Sequence, residues 1–294
     1  MKIIKPSVEF FGAVPTDYDG VLKFIEMAGR TCYKSEDKIT ETSAEGFVKK
    51  LIKARHLAMV EHSNFVVILS EHYWPDFCAL QGELGKYLKV HAANGKMHIG
   101  GNITAWYQSF SFFHENKEEE VSDPEVFTPF INTFGYLFQI GEDVPSERWK
   151  VCPHDEIPHE LHRYSVKFIC DRGVSHELVR HRPCSFAQES TRYVNYGGKD
   201  MEFIEPANYD EWSTFEMDFF LTGCVQSERC YKSLLNYGSK PQQARTVLPN
   251  ALKTEIVVTA DAAEWTHIRK LRTHPSAHPD MVRVMNMMPW DEIK

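Results

Sequence analysis

The stretch from Leu161 onward constrains the fold most, because its punctuation leaves few choices. Tyr164-Ser165-Val166-Lys167-Phe168-Ile169-Cys170 reads as a strand. Asp171-Arg172-Gly173 reads as a turn, and Val174 to His181 as a helix. Pro183 stops that helix, since proline cannot continue one without losing a hydrogen bond. A long helix is expected from Glu211 to Tyr237. A short one from Pro241 to Leu248 ends at Pro249-Asn250. Thr254-Glu255-Ile256-Val257-Val258-Thr259 is a second strand, followed by helical regions over Ala262 to Leu271 and Asp280 to Met288.

Upstream, a first strand is expected over Ile3 to Phe11, with helices over Tyr18 to Cys32 and Ser43 to Ala54. Ser43 is the expected N-cap of the second helix, with Phe47, Val48, Leu51 and Ile52 at helical spacing. Asn64 to Leu69 reads as a buried strand. The block 71–157 is expected to be mostly helical: Pro75 to Val90, Asn102 to Phe113 and Glu125 to Ile140, around an acidic loop from Glu115 to Asp123 and a polar, turn-rich stretch over Gly141 to Pro158. It lacks clear linkers, so it is expected as an insertion in a single domain spanning 1–294. Segregated strands and long helices predict an α+β fold with an antiparallel or mixed sheet.

Composition excludes several classes. Net charge is −8, without the basic excess of a general nucleic-acid binder. No apolar run approaches the ~18–20 residues that cross a membrane, and the N-terminus is too short and charged for a signal peptide, which predicts a cytoplasmic protein. The seven cysteines contain no Cys-x-x-Cys pair, which argues for reduced thiols rather than disulfides or structural zinc. His176-Glu177-x-x-Arg180-His181 nearly matches a zinc-protease helix, but a cation stands where the second ligand is needed. His154, His159 and His162 read as loop residues, so no metal is expected. There is no dinucleotide glycine fingerprint or phosphate-binding loop. Cys184 reads as a small residue in a tight turn.

Arg180-His181-Arg182-Pro183-Cys184-Ser185-Phe186-Ala187-Gln188-Glu189-Ser190-Thr191-Arg192-Tyr193 stands apart. Three arginines and a histidine are interleaved with hydroxyls and an amide, and Glu189 is the only carboxylate. A solvated helix would more often alternate its cations with acids. Guanidinium forks suit phosphates and ring carbonyls.

The segment resembles the signature of flavin-dependent thymidylate synthases: Arg180-His181-Arg182, seven residues, Ser190, with Ser185, Arg192 and Tyr193 at the family's offsets. His56-x-x-x-x-Glu61-His62 resembles the family's first flavin-contacting segment. Ala244-Arg245-x-x-Leu248-Pro249 resembles its phosphate-holding segment, and Leu271-Arg272 with Ala277 its C-terminal one. The resemblance covers about residues 17–70 and 158–288.

It implies an enzyme that makes dTMP from dUMP. The carbon would come from methylenetetrahydrofolate and the hydride from FAD reduced by NADPH, in a homotetramer with shared sites. By resemblance, Arg180, His181 and Arg182 line the flavin, Glu61 and His56 support it, and Ser185 and Asp261 adjoin it. Ser190, Arg192 and Arg245 bind the nucleotide beside Gln188 and Tyr193, and Arg272 polarises the uracil. Ser190, Arg272 and His56 are the expected catalytic residues. The chain departs from the pattern at Ala187 and Gln188, where the family usually has Asn-Glu, and at Asp261 and Ala263, where it usually has asparagine and arginine. Ser276-Ala277-His278 replaces His-Ala-Gln. These departures keep two alternatives in view: nucleotide hydroxymethylation without hydride transfer, and nucleotide binding without catalysis.

Overall fold

The computed structural model describes residues 1–69, 84, 88–93, 95–115, 124–141 and 148–293. The first strand expected from sequence is two. β1 (Lys2–Ile4) and β2 (Ser7–Ala13) are separated at Lys5-Pro6, where proline supplies no ladder donor. Then come α1 (Tyr18–Tyr33), α2 (Ser43–Lys53), the one-turn α3 (Leu57–Val60) and β3 (Phe65–Leu69). Ser43 is the first residue of α2 rather than its cap. Its hydroxyl accepts from Thr40 N–H at 2.9 Å and donates to the buried Glu26 carboxylate at 2.7 Å, tying α2 to α1.

The block after β3 holds the helices expected over Asn102 to Phe113 and Glu125 to Ile140 and adds strands that the sequence reading did not anticipate. Its described residues form β4 (Lys89–Ala93), β5 (Lys96–Gly101), α4 (Ile103–Glu115), α5 (Thr128–Phe138) and β6 (Trp149–Val151). Lys89 and Val90, expected at a helix end, belong to β4. The rest of the expected helix from Pro75, apart from Leu84 and Leu88, lies outside the described residues, as does most of the acidic loop. β4, β5, β3 and β6 pair in that order as an antiparallel sheet. Its packing draws on both sides of the chain: Phe65, Trp106, Phe130 and Phe134 are fully buried with Val21, Ile25 and Val48 from α1 and α2. Trp106 Nε1 donates to Phe65 O at 3.0 Å, which satisfies the indole inside that cluster.

The second half builds the central sheet. β7 (Arg163–Asp171) leads into α6 (Arg172–Leu178), followed by β8 (Ser185–Gln188) and β9 (Glu202–Ile204). α7 (Thr214–Asn236), α8 (Pro241–Ala244), β10 (Lys253–Asp261), α9 (Ala262–Arg272) and α10 (Pro279–Met285) complete it. The sheet order is β2-β7-β10-β8, antiparallel throughout, while β1 and β9 form a separate parallel pair. β2 is bulged between Phe10 and Gly12, and Gly12 sits at φ 79°, a conformation open to glycine. The architecture is therefore α+β with antiparallel sheets. Among the described residues, no helix is long and apolar enough to cross a membrane.

Strand alternation gives the central sheet two unlike faces. Val166, Phe168 and Cys170 of β7 and Ile256, Val258 and Ala260 of β10 bury against Val174, Trp265, Ile268 and Met281 from α6, α9 and α10. The opposite face carries Arg163, Ser165, Lys167, Ser185, Glu255 and Thr259, with Ala187 and Val257 packed on Ala28 of α1. Polar side chains are thus buried under α1 and α3 by register alone. Replacing the fully buried Phe168 with alanine should cost about 3–5 kcal/mol, read as a lower urea midpoint at unchanged m-value.

Candidate active site

β8 is the element that sequence reading missed, and it organises the segment judged chemical. It pairs antiparallel with β10, Gln188 opposite Ile256 and Ser185 opposite Thr259. Ser185 is therefore at one end of the sheet, and Ser190 just beyond the other. α3 packs beside β8, with His56 before it and Glu61 after it.

At the Ser185 end, Arg163 is the hub. Its side chain is 8 % exposed. Nη1 donates to the carbonyls of Glu61 and Ser63 at 2.8 Å each, and Nη2 donates to Ser185 Oγ at 2.9 Å and Thr259 O at 3.3 Å. One guanidinium thus joins α3, β3, β8 and β10. Burial lowers its pKa, and the charges of Asp261 and Glu61 oppose that shift. Glu61 is in turn raised by burial, with Arg163 pulling it back. His62 is fully buried, and its Nδ1 shares a hydrogen bond with Thr259 Oγ1 at 2.8 Å. Burial and the Arg163 charge push His62 down to about 3.

Asp261 caps α9, accepting from Glu264 N–H at 2.9 Å, and pairs with Lys89 of β4 at 2.5 Å. The carboxylate is thus neutralised by a lysine from the strand β4. Lys89, Asp261, Arg163, Pro183 and Asn64 line a cavity of about 230 Å³. Asn64 is buried, its Nδ2 donates to Leu161 O, and its Oδ1 has no partner among the described residues.

His181 is held between two elements. Arg272 Nε donates to its Nε2 at 3.0 Å, so Nδ1 carries the proton and meets Glu264 Oε1 at 3.2 Å. Burial and the neighbouring Arg272 charge lower His181 to about 4. His181, Glu264 and His267 place donor atoms within 4.8 Å of one another, but a cation at Nδ1 would displace that proton and leave Nε2 facing an N–H. Arg272, expected at a pyrimidine, is tied inward: Nη1 to Glu177 Oε2 at 2.6 Å and Nη2 to Glu177 O at 3.0 Å, besides its bond to His181. All three of its guanidinium nitrogens have protein acceptors. Arg180 and Arg182 are exposed.

At the other end, Ser190 N–H donates to Cys32 O at 3.0 Å, which anchors the loop to the end of α1. The Tyr193 ring is tilted against that of Tyr33, centroids 5.9 Å apart, and Tyr33 O–H shares a hydrogen bond with His56 Nδ1 at 3.0 Å. His56 is therefore brought to Tyr193. Arg192 Nε donates to Gln242 Oε1 at 3.3 Å, and Arg245 Nη1 to Thr191 Oγ1 at 3.5 Å. Gln188 turns the other way, donating to Ser175 and Thr254 hydroxyls. Beneath this end lies a buried ion cluster. Glu255 receives Lys253 at 2.6 Å, Lys34 at 2.8 Å and Lys167 at 3.2 Å. Burial alone would raise Glu255, but Lys253 and Lys34 overcome it and hold the carboxyl at about 2.

Burial pushes Cys184 far above the ordinary thiol range, and it lies beneath the turn as a buried, unreactive thiol. Arg163 is the residue of this cluster that sequence reading passed over, a lone cation at the start of β7 with no local pattern to mark it.

Residues 153–293, just under half of the chain, match the family model described as thymidylate synthase complementing protein. The chain is 36% identical over 118 residues to the flavin-dependent thymidylate synthase of Geobacter sulfurreducens, covering 40% of this chain and 49% of that one. It is 31% identical over 129 residues to that of Pyrococcus furiosus, with the same coverage. With that of Sulfolobus acidocaldarius it shares 28% over 177 residues, 60% of each chain. The chain thus spans about half the length of the first curated relatives it matches. A UMP/dUMP methylase from Streptomyces cacaoi superposes over 98% of this chain and 90% of that one, at a TM-score of 0.41 and 16% identity, too loosely to carry an argument. Residues 153–293 are thus similar in sequence to flavin-dependent thymidylate synthases, as the resemblance of the Arg180–Tyr193 segment implied.

Replacing Arg163 with methionine should destabilise the protein by about 3–5 kcal/mol, since the Glu61 and Asp261 charges lose their central cation. Stability should also fall as pH drops from about 6.5 toward 3. In that window the unfolded chain takes up a proton at His62 that the folded chain refuses. Urea midpoints across that range should flatten in a His62→Phe variant.

Proposed function

We propose that this protein transfers a one-carbon unit from methylenetetrahydrofolate to C5 of dUMP, with flavin-mediated reduction, to give dTMP. The observation that carries the reading is the strand β8 itself. It holds the family segment so that Ser190, Arg192 and Arg245 gather at one end, and Arg180, His181 and Ser185 at the other. Among the described residues, neither Arg192 nor Arg245 makes an ion pair with an acid, so both are available to an anion.

The Ser185 end fits a flavin. The exposed Arg180 and Arg182 suit its phosphates. Lys89 neutralises Asp261, which would otherwise repel them, and Asn64 Oδ1 is a buried acceptor without a donor. Bound there, FAD would supply the hydride chemistry, recharged by NADPH. The protein's own work is positional and electrostatic. Cationic donors fixed before the reaction would stabilise the enolate charge on the pyrimidine oxygens that makes C5 nucleophilic. The resting protonation of His181, neutral with Nδ1–H toward Glu264, leaves Arg272 the only formal charge in that trio besides the carboxylate. A homotetramer with shared sites accords with the resemblance to the family.

The test is the visible spectrum of the purified protein with FAD, before and after dUMP, followed by product analysis. A flavin band perturbed by dUMP and conversion to dTMP are the expected results. A product one oxygen heavier than dTMP would replace this reading with hydroxymethylation, which the changes at Asp261 and Ala263 also suit. A protein that binds dUMP without exchanging its C5 proton would leave binding alone. Arg192→Ala should weaken dUMP about 10- to 100-fold, as expected for one charge-assisted contact, with an unchanged melting temperature.

A further inference from the structure

α2 ends beside a cavity that shares no lining residue with the one at the Ser185 end. It holds about 720 Å³, within the ~300–1,000 Å³ of small-molecule sites. α2 and the residues after it supply three cations, Lys49, Lys53 and Arg55, while α4 and α5 supply the rings of Tyr107 and Tyr136. No acid lines it among the described residues. Lys49 pairs with Glu45 at 2.6 Å, one turn back on α2, and its Nζ lies 4.8 Å from the centre of the Tyr136 ring. Lys53 and Arg55 form no ion pair among the described residues. Tyr107 stacks on Phe138, centroids 4.5 Å apart, and Tyr136 is half exposed. Charge therefore comes from one side of the cavity and flat apolar surface from the other.

Arg55 is the informative member. Lys53 stands in the last turn of α2, where a cation answers the helix dipole whatever else it does. Arg55 lies beyond the helix. Its N–H donates to Ile52 O and that of His56 to Leu51 O, both at 2.9 Å, which closes α2 in a Schellman turn with Arg55 at φ 57°. Glycine normally takes that left-handed position, and a Cβ there is strained. The helix stop gains nothing from an arginine, whose side chain lines the cavity instead. His56 follows, and its Nδ1 shares a hydrogen bond with Tyr33 O–H, beside Tyr193. The cavity thus opens one residue away from the group that reaches the Ser190 end of the site.

We propose that this cavity binds the p-aminobenzoyl-glutamate tail of the folate co-substrate, its ring against Tyr107 and Tyr136 and its carboxylates on Lys49, Lys53 and Arg55. This rests on the reading of the reaction as one that uses methylenetetrahydrofolate. The ligand class is a flat ring that carries several carboxylates, and each further γ-linked glutamate adds an anion for the three cations. The one-carbon unit rides at the opposite end of the folate, so the tail is held here while the reacting end passes His56. NADPH also joins a flat ring to anions, as adenine and phosphates, and the test separates the two.

The test is calorimetric titration of the wild-type protein, Arg55→Gly and Lys53→Met with p-aminobenzoyl-glutamate, its γ-triglutamate form and NADPH, with no flavin and no turnover. The triglutamate form should bind the wild type more tightly than the monoglutamate, and more weakly as salt is raised. Each variant should lose about 10- to 100-fold in affinity for it and keep its affinity for dUMP. Arg55→Gly should melt no lower than the wild type, because glycine relieves the left-handed position, so lost binding there is not lost folding. A wild-type protein that binds neither fragment, or an Arg55→Gly protein that binds both as the wild type does, overturns the assignment. NADPH weakened by Arg55→Gly, with the fragments unaffected, overturns it in favour of the other co-substrate. Conversion of dUMP to dTMP beside unaltered fragment binding in Arg55→Gly sinks this site and leaves the parent reading standing. Fragment binding that Arg55→Gly removes, in a protein that makes no dTMP, does the reverse.

Discussion

The buried guanidinium of Arg163 is the contact on which the rest of the structure leans. A fixed charge inside a protein is tolerated only when its donors are met in good geometry. Here they are met mostly by main-chain oxygens, those of Glu61, Ser63 and Thr259, with the Ser185 hydroxyl as fourth acceptor. The arginine therefore specifies where the backbone of α3, β3, β8 and β10 must pass. The two polypeptide halves meet around it: the sheet of β4, β5, β3 and β6, and the sheet built on β7 and β10. Both halves of the chain are needed to satisfy one side chain, and the same side chain forms a wall of the cavity at the Ser185 end.

The polar face of the central sheet follows from the same logic. Lys167, Lys253 and Lys34 surround Glu255, and Lys253 reaches Glu189, the residue between β8 and Ser190. A cluster so densely paired holds the start of β10 and the loop beyond β8 in one arrangement. Ser190 is thus placed by an ion network beneath it and by the last turn of α1 above it, besides the bonds of its own loop.

Much of this was legible in the residues. α1, α2, β3, β7, β10, α7 and α9 follow the apolar periods that announce them, because each buries one face. β8 did not, because four residues alternating small and mixed side chains carry too little period to separate strand from loop. β4, β5 and β6 were read as parts of a helical block or a polar turn region, since short strands take their identity from pairing partners far along the chain. The chemical segment was legible through its cations. Its geometry was not: Arg272 is engaged by Glu177 and His181, Gln188 points to α6, and the lone Arg163 gains meaning only from what the fold brings beside it.

β8 is short, about 13 Å at the rise of a strand, and it is clamped to β10 along its length. It works as a ruler with a different chemistry at each tip. A single inserted residue would turn Ser185 and Ala187 out of the polar face, so the length is locked. The tips themselves are far enough apart to vary on their own. Asp261 and Ala263, departures from the family pattern, lie at the Ser185 tip, while Ser190, Arg192 and Arg245, which keep it, lie at the other. A scaffold of this kind can change the groups at one tip without disturbing those at the other.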